Sequence, residues 1–380
     1  PPGFWEVFHK NSSTGFVVQK LNEELDGGDV VFKGTVPTKF FFYYNQQFVF
    51  KQSAKYINLV FKKLSESKKI NYIVKKEYQN KIFKDPNLFE LGVYCFSTFK
   101  IVIEKIFRKV FSKKYIWNIG FLREKFNKEN LKNINIFKNL HNRFIADPFL
   151  IKHDKKNYVF VEDYCFENKK GSISCFLLED NKEKFLGKVI EEKFHLSFPF
   201  LFKFNEKIYM CPETSEINEI RIYECLEFPT KWKYKKTLIK NIFAVDTLLF
   251  KKDSKWWLLT NTDSNNINYS SELSIFYSNE GPLTENWNEH KNNPLIVDAN
   301  NARNGGLIFD NNEIYRVNQK IGYNIYGAEL DVNLIKEINE ENYVEDKIYN
   351  IKPNFLKNTI GVHHLSYNDE YSVIDFLKSS

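Results

Sequence analysis

From Tyr115 to the C-terminus, short apolar runs alternate with clusters of Asn, Asp, Gly and Lys. Such runs, bounded by turn residues, are typical of short antiparallel strands. Residues 1–45 contain two apolar runs around an acidic, Gly-rich turn, whereas residues 46–114 are rich in Lys and have a helical period that Pro86 interrupts. The pattern therefore predicts three regions: an N-terminal fragment over 1–45, a helical connector over 46–114 and a mainly β domain over 115–380.

One strand motif recurs five times in the β domain, at intervals of roughly 50 to 60 residues, which suits a four-stranded blade and its loops. Its copies are Ile145 to Leu150, Ser197 to Phe202, Val245 to Phe250, Arg303 to Phe309 and Gly361 to Tyr367. Each copy is followed by a charged turn and an aromatic second strand. Five cycles predict a five-bladed β-propeller. Because the last cycle runs out of chain after two strands, Tyr115 to Leu122 are predicted to complete blade five and close the ring.

The first strand of each propeller blade lines the central channel, so polar residues at the starts of the five motifs are predicted to meet in one funnel. These residues are Asp147, Ser197, Asp246, Arg303 with Asn304, and His363 or His364. Only one of the adjacent histidines can face the axis, because strand side chains alternate. Charged groups are unfavourable to bury without a polar ligand or internal pairing, which favours a binding site. The alternative is that Asp147 and Asp246 cap turns and pair with Arg303.

Charge, cysteine content and hydropathy limit which partners and which cellular location are expected. The net charge of +7 comes from scattered Lys without an Arg-rich block, so no nucleic acid partner is predicted. Five cysteines without a C-x-x-C pair or a signal-type start indicate a reducing, cytoplasmic location. No apolar run is long enough for a transmembrane segment. Leu88 to Phe111 reads as an amphipathic helix, for which packing on the chain's own core is expected and peripheral membrane contact is the lesser alternative.

The β domain resembles a known family. Residues 144–376 are similar to the propeller found as the N-terminal domain of glucosamine inositolphosphorylceramide transferases. The resemblance rests on five ordered motifs: Ala146 to Phe149, His195 to Phe200, Met210 to Ser215, Val245 to Thr247 and Ala302 to Gly306. It implies a protein that handles a sugar or a glycolipid precursor.

The architecture also looks like that of five-bladed glycoside hydrolases, whose Asp-Pro motif carries the general base. That resemblance implies that Asp147 activates water, that Asp246 tunes and positions, and that a third carboxyl group protonates the leaving oxygen. The acid expected in blade four is absent, and Arg303 stands there with Asn304, so Glu213 is the substitute. Arg303 instead suits a bidentate contact to a carboxylate or phosphate, which favours binding over hydrolysis. The histidine at the fifth motif is either a holder of a cation or water or a structural residue, and no metal is predicted.

Residues 1–34 resemble the second half of a folate-dependent formyltransferase catalytic domain, of α/β class. The resemblance rests on Pro2 to Glu6, Thr14 to Gln19 and Leu25 to Asp29. It implies that Asp26 assists proton transfer beside an Asn and a His that would precede Pro1. The lack of an initiating Met also indicates a fragment or a processed product. No cofactor is therefore expected in this chain, and a folate-type formyl donor only with the missing half. The alternative is a Gly-rich hairpin turn.

Together these features predict a carbohydrate-active protein of surface-glycan or glycolipid assembly. Its propeller funnel is predicted to bind a sugar, a nucleotide-sugar or a glycolipid precursor, next to a truncated formyltransferase-like region. Two alternatives remain. One is an enzyme, either a glycosidase-like hydrolase that uses Asp147 with Glu213 or a glycan transferase whose activity resides in the propeller. The other is a non-catalytic interaction scaffold, because propellers host many unrelated functions.

Overall fold

The computed structural model describes residues 1–23, 28–67, 83–110, 115–263 and 271–379. The chain divides into two compact units. The first comprises Pro1–Lys113 with Val297–Ala299 and Ile321–Ile325, and the second comprises Lys114–Ile296, Asn300–Lys320 and Tyr326–Ser380. Asp26, the predicted formyltransferase-type residue, lies outside the described residues. No described helix is both long and apolar enough to cross a membrane.

The described residues from Pro1 to Val110, which make up most of the first unit, form helices and one hairpin. Its elements are α1 (Phe4–Phe8), β1 (Ser13–Lys20), β2 (Asp29–Pro37), α2 (Phe42–Ser67) and α3 (Leu88–Val110). Strands β1 and β2 pair antiparallel, as the two apolar runs around a turn predict. Buried Val36, Phe48 and Val49 form a small core between the hairpin and α2. Fully buried Asn45 ties the start of α2 to the N-terminus, because its Nδ2 donates to the Gly3 carbonyl at 2.9 Å.

The remaining described strands are short and antiparallel, and two 3₁₀ turns lie among them, at Lys128–Asn133 and Ser215–Ile217. In chain order the strands are β3 (Tyr115–Leu122), β4 (Asn135–Ile136), β5 (Arg143–His153), β6 (Lys156–Cys165), β7 (Lys170–Glu179), β8 (Lys182–Ile190), β9 (Ser197–Phe204), β10 (Lys207–Glu213), β11 (Glu219–Glu227), β12 (Lys231–Lys240), β13 (Ala244–Lys252), β14 (Lys255–Thr262), β15 (Glu272–Ser278), β16 (Asn288–Glu289), β17 (Ile296–Val297), β18 (Asn304–Asp310), β19 (Glu313–Gly322), β20 (Ile325–Ile338), β21 (Tyr343–Ile351), β22 (Thr359–Gly361), β23 (Leu365–Tyr367) and β24 (Ser372–Ser379).

These strands form five sheets, which confirms the predicted five-bladed propeller. Blade one is β5-β6-β7-β8, blade two is β9 to β12, and blade three is β13 to β16 with β17 on β15. Blade four is β18 to β21. Blade five runs β22-β24-β3-β4, with β23 also on β24, so a strand from the start of the domain completes the last sheet. The predicted closure by Tyr115 to Leu122 is therefore confirmed, and it covers an edge that β24 would otherwise expose.

The inner strands of the blades are apolar on both faces because each blade packs against its neighbours. In β13, for example, every residue from Ala244 to Phe250 is buried. The largest cluster of buried apolar side chains joins blades two, three and four, and it includes Phe200, Leu248 and Trp257. Burial of this kind fixes the starts of the inner strands around the axis, where the polar motif residues lie.

Candidate functional site

A cavity of about 370 Å³ lies at the starts of the inner strands, within the second unit. It is called the funnel below. Carboxyl groups, two imidazoles and one guanidinium face it, together with aromatic rings. Its lining residues are Trp117, Phe144, Asp147, Glu162, His195, Ser197, Glu213, Ser215, Phe243, Val245, Asp246, Arg303, Tyr326 and His363.

Irregular backbone at the starts of the inner strands of blades one, two and three shapes this end of the propeller. Asp147, Phe198 and Asp246 have left-handed backbone conformations, with φ of 50°, 46° and 52°. The strand register shifts at the same places in blades one and three, between Ala146 and Phe149 and between Val245 and Leu248. Residues other than Gly rarely adopt positive φ, so surrounding contacts must hold these three. Strained positions of this kind concentrate at functional sites.

Asp147 is the first carboxyl group of the funnel, and it belongs to a buried chain of three groups. His363 Nδ1 lies 2.5 Å from Asp375 Oδ2, and His363 Nε2 lies 3.7 Å from Asp147 Oδ1. Asp147 Oδ2 also accepts the Phe198 N–H at 3.1 Å. Burial raises the pKa of Asp147 to about 7, with repulsion from Asp375 and Asp246 added and His363 opposing. Asp147 can therefore gain or lose a proton near neutral pH.

Asp375 holds this chain together. Its Oδ1 accepts the backbone N–H groups of His363 and His364 at 3.1 and 2.8 Å, and its Oδ2 accepts that of Asp147 at 3.0 Å. Burial alone would raise the pKa of Asp375, but His363 and the backbone donors lower it below its ordinary value. Burial likewise opposes charge on His363, yet Asp375 and Asp147 raise the pKa of His363 above its ordinary value. The pair is therefore an imidazolium beside a carboxylate over the acidic range.

Two aromatic side chains fix the His363 ring. Trp117, from the closing strand β3, stacks on it with ring centroids 3.7 Å apart and planes 9° apart. Tyr326 meets the same ring edge-on at 5.4 Å. Tyr326 also receives the Arg303 guanidinium over its face, 4.7 Å from the ring centroid. The aromatic wall thus links the two cationic side chains of the funnel.

Asp246 and Arg303 form the second buried pair. Arg303 Nε donates to Asp246 Oδ2 at 2.7 Å, and Gln319 Nε2 donates to the same oxygen at 3.3 Å. Burial raises the pKa of Asp246 to about 6, because it outweighs the opposing effect of Arg303, and Glu213 adds to the rise. The alternative prediction that both Asp147 and Asp246 pair with Arg303 is therefore only partly correct. Asp246 pairs with Arg303, whereas Asp147 pairs with His363.

Two glutamates complete the polar lining. Glu213 Oε1 accepts the Ser215 hydroxyl at 2.7 Å, and burial raises the pKa of Glu213 although Arg303 opposes the rise. Burial, with repulsion from Asp147, raises the pKa of Glu162 well above its ordinary value. Glu162 Oε1 lies 3.5 Å from His195 Nε2. Both glutamates can therefore carry a proton at a pH where exposed glutamates have lost theirs.

His195 is held in one tautomer beside Glu162. Its Nδ1 accepts the Gly171 N–H at 3.0 Å, so the proton of the neutral ring lies on Nε2, which faces Glu162. Burial lowers the pKa of His195. A neutral imidazole that donates from Nε2 therefore stands at this side of the funnel.

Most predicted site residues share the funnel. Asp147, Asp246, Glu213, Ser197, Arg303 and His363 all line it. Asn304 and His364 are not among the described lining residues. Asn304 is fully buried, and its Nδ2 donates to the Asp246 carbonyl at 2.8 Å. His364 packs its ring against Phe149, with centroids 4.3 Å apart, and burial lowers its pKa to about 3. Neither residue lines the cavity, and a role for them in ligand binding stays a prediction.

The sequence analysis did not identify Glu162 and Asp375 as site residues, although a recurring pattern in the second strands could have predicted them. A polar residue recurs near the end of otherwise apolar second strands, opposite the inner-strand motif. Glu162 pairs with Ala146, Glu213 with Ser197 and Asn261 with Val245. Asp375 occupies the comparable place in blade five, where its N–H donates to the His364 carbonyl. The recurrence, rather than any single residue, marks these positions.

One group among the described residues has the spacing for a metal ion. Ligand atoms of Asp147, His363 and Asp375 all lie within 4.8 Å of one another. Both oxygens of Asp375, however, already accept backbone N–H groups, and Oδ2 also faces the imidazole. The arrangement therefore suits the holding of a proton between the three groups better than the coordination of a cation.

Comparisons with known proteins concern mainly the second unit. The family model described as "Glucosamine inositolphosphorylceramide transferase 1, N-terminal" matches residues 135–366. The protein of that name from Oryza sativa subsp. japonica is 35% identical over 208 residues, which are 53% of this chain and 27% of the rice protein. The one from Arabidopsis thaliana is 33% identical over 214 residues, 55% of this chain and 28% of that protein. The chain thus spans only about a quarter of the length of these curated relatives.

Solved structures of glycoside hydrolases are also similar in fold. The catalytic domain of the GH62 α-L-arabinofuranosidase from Coprinopsis cinerea has a TM-score of 0.47 at 14% identity, and covers 70% of this chain and 97% of that domain. A family 117 glycoside hydrolase from Zobellia galactanivorans has a TM-score of 0.44 at 12% identity, and covers 70% of this chain and 91% of that one.

Proposed function

The chain belongs to the family of the N-terminal domain of glucosamine inositolphosphorylceramide transferase 1, and we propose that its funnel binds a sugar or sugar-phosphate group of a glycolipid precursor. One observation carries the proposal: four carboxyl groups, a guanidinium and two imidazoles surround a single cavity with aromatic walls. Burial of so many ionisable groups is unfavourable unless internal pairs or a polar ligand satisfy them.

The chemistry of the lining fits a saccharide. Sugar hydroxyls need both acceptors, such as Asp147 and Glu213, and donors, such as Ser197. Their C–H faces can pack on the rings of Phe144 and Phe243. The cavity volume of about 370 Å³ falls in the range of about 300–1,000 Å³ that is usual for small-molecule sites.

The relatives' names indicate which groups to test first, namely glucosamine and inositol phosphate. A phosphate would meet Arg303, whose Nε already holds Asp246 and so fixes the plane of the guanidinium. A guanidinium fixed in this way is preorganised for an anionic group, which reduces the entropy lost on binding. A role in glycolipid assembly follows from this assignment, as a proposal for the whole protein.

Thermal shift measurements on the full chain test the proposal. The probes are glucosamine, myo-inositol 1-phosphate, a soluble glucosaminyl inositol phosphate and nucleotide-sugars. A ligand that binds the native state raises the midpoint by mass action. We expect a shift with at least one probe, which Asp246→Asn and Arg303→Gln reduce at least tenfold in apparent affinity. Asp331→Asn is the matched control, because Asp331 is buried in blade four beside Lys320 and Lys347 and does not line the funnel.

Absence of any shift, or equal shifts in wild type and both funnel variants, would contradict sugar binding. Absence of a shift, combined with a stoichiometric protein partner that the funnel variants still retain, would favour the scaffold alternative. The Asp331→Asn control separates loss of ligand contacts from general loss of stability.

Acid–base catalysis on a glycosidic bond is the second candidate, favoured by the raised pKa values of the funnel carboxyl groups. Asp147, with a pKa of about 7, would act as the base, and Glu213 or Glu162 would hold the proton for the leaving oxygen. A pH profile of sugar release or transfer from a panel of aryl glycosides tests it. A bell-shaped profile that loses its acidic limb in Asp147→Asn supports catalysis, and no measurable rate across the panel removes it.

We place the protein in a reducing compartment such as the cytoplasm, which five cysteines without a disulfide support. The formyltransferase resemblance of residues 1–34 stays a prediction, because the family match begins at residue 135. Joining these residues to a complementing N-terminal half and assaying formyl transfer to an amino sugar, with Asp26→Ala as the comparison, tests it.

A further inference from the structure

Helix α3 exposes its apolar side. The residues that are partly covered lie on one face and are mostly polar: Glu90, Tyr94, Ser97, Thr98 and Ile101. Exposed apolar residues occupy the opposite side and form what is called the α3 apolar face below: Leu88, Phe89, Leu91, Val93, Phe96, Phe99, Val102, Ile103 and Ile106. The expectation that this helix packs its apolar side on the chain's own core is therefore wrong.

The inward side of α3 is anchored within the first unit. Tyr94 Oη accepts the Phe42 N–H at 3.0 Å, and the Tyr94 ring lies 5.3 Å from that of Phe4. These contacts of Tyr94 fix the rotation of the helix about its axis. The α3 apolar face is therefore turned towards solvent. An amphipathic helix on the surface of a globular protein usually has the opposite arrangement, with its apolar stripe turned to the core. A contiguous apolar patch of this kind marks an interaction surface.

The charge of this part of the chain indicates which kind of partner could bind the α3 apolar face. Residues 46–114 contain 16 Lys and Arg against five Asp and Glu, although the net charge of the whole chain is only +7. Lys100 lies at the margin of the apolar face and is exposed. A second copy of this chain would bring the same excess of positive charge against it, which repels. An anionic surface would be attracted instead.

We propose that the α3 apolar face docks on the surface of an anionic lipid bilayer. Aromatic and aliphatic side chains would enter the boundary between head groups and acyl chains, and Lys100 at the margin would contact the anionic head groups. The helix would lie in the plane of the interface. The docking needs no sugar in the funnel, so it stands apart from the proposed glycan binding.

Co-sedimentation of the full chain with vesicles tests the docking. The vesicles contain phosphatidylcholine alone or phosphatidylcholine with phosphatidylserine, and no glycolipid. We expect binding to the phosphatidylserine vesicles that falls at least tenfold without phosphatidylserine and weakens as salt rises. The double variant F96Q/F99Q is expected to lose at least tenfold in binding, because it removes two anchors that are 73% and 62% exposed.

The double variant F309Q/L226Q is the matched control, since these propeller residues are 61% and 59% exposed and lie outside α3. It is expected to bind as wild type does, and so is Asp246→Asn, which tests independence from the funnel. Failure of wild type to bind phosphatidylserine vesicles, or equal binding by F96Q/F99Q, would overturn the proposal. Sedimentation velocity adds a second criterion: a dimer that F96Q/F99Q dissociates would assign the face to a second copy instead.

Discussion

Replacing Asp375 by Asn should destabilise the propeller by about 3–5 kcal/mol, the usual effect of breaking a buried ion pair. Asp375 is fully buried and accepts three backbone N–H groups while facing the His363 imidazole. Whichever way an Asn amide is turned, its NH₂ group meets a backbone N–H donor, so at least one buried donor loses its acceptor. For a domain of this size, the loss corresponds to a decrease of about 6–20 °C in Tm.

The pH dependence of this difference follows from the two pKa shifts. The pKa of Asp375 is below its ordinary value of 3.8, so its contribution is present above that value and is lost as pH falls through the lower, folded-state pKa. The pKa of His363 is above its ordinary value of 6.5, so its contribution is complete below that value and is lost as pH rises through the higher, folded-state pKa. The difference between wild type and Asp375→Asn should therefore be greatest from about pH 4 to 6.5.

Urea unfolding of both proteins at several pH values, followed by tryptophan fluorescence, measures this difference. Asp331→Asn serves as the comparison, because Asp331 is also buried but is partnered by lysine side chains that reach solvent. A loss below about 1 kcal/mol for Asp375→Asn would refute the reasoning, since surface pairs already contribute that much. A loss that is independent of pH from 4 to 9 would refute the assigned ionisation of His363.

Two further variants probe the same cavity. The pKa of Asp147 is raised from its ordinary value of 3.8 to about 7, so the folded protein favours the protonated acid. The stabilisation that the protonated acid contributes is complete below about pH 4 and is lost as pH rises through 7. The stability of wild type relative to Asp147→Asn should therefore fall over that range in scanning fluorimetry from pH 4 to 8, and a constant difference would contradict the shift. Arg303→Met leaves the buried Asp246 carboxylate without its cation, so we expect a loss of about 3–5 kcal/mol at pH 8 and a smaller one at pH 5, where Asp246 can protonate. Urea unfolding at the two pH values would count against this pairing if the losses were equal.

The repeat in the sequence was enough to predict the propeller and its closure. Five copies of one motif fix the number of blades, and a missing pair of strands in the last copy requires another segment to supply them. Tyr115 to Leu122 are the apolar run nearest the start of the domain, and they pair with β24 along their whole length. Long-range closure was predictable here because strand counting leaves no other solution.

The partners of the funnel residues could not be predicted in the same way. Asp246 meets Arg303 while Asp147 meets His363, a choice that depends on which blades are neighbours and on the bulges at the strand starts. Alternation predicts that only one of the adjacent histidines faces the axis, but not that it is His363. Trp117 stacks on His363 because the closing strand lies in blade five, a contact between residues far apart in sequence.

Helix α3 shows a different limit. Its amphipathic period was clear from the sequence, but the period alone does not say which side is covered. The deciding contacts are those of Tyr94 with Phe42 and Phe4, which turn a mostly polar side inward. Such contacts depend on the fold of the whole first unit, so sequence reasoning assigned the apolar side to the core by default.

Histidine NMR during a ligand titration tests the central claim most directly, because His195 and His363 line the funnel while His153 and His290 do not. The chain has seven histidines, so ¹⁵N-histidine labelling gives a short spectrum that single His→Gln variants can assign. The account predicts that soluble glucosaminyl inositol phosphate shifts the His195 and His363 resonances in a saturable way and leaves those of His153 and His290 unchanged. Saturable shifts confined to His153 or His290, or no shift at any histidine, would contradict a glycan site in the funnel.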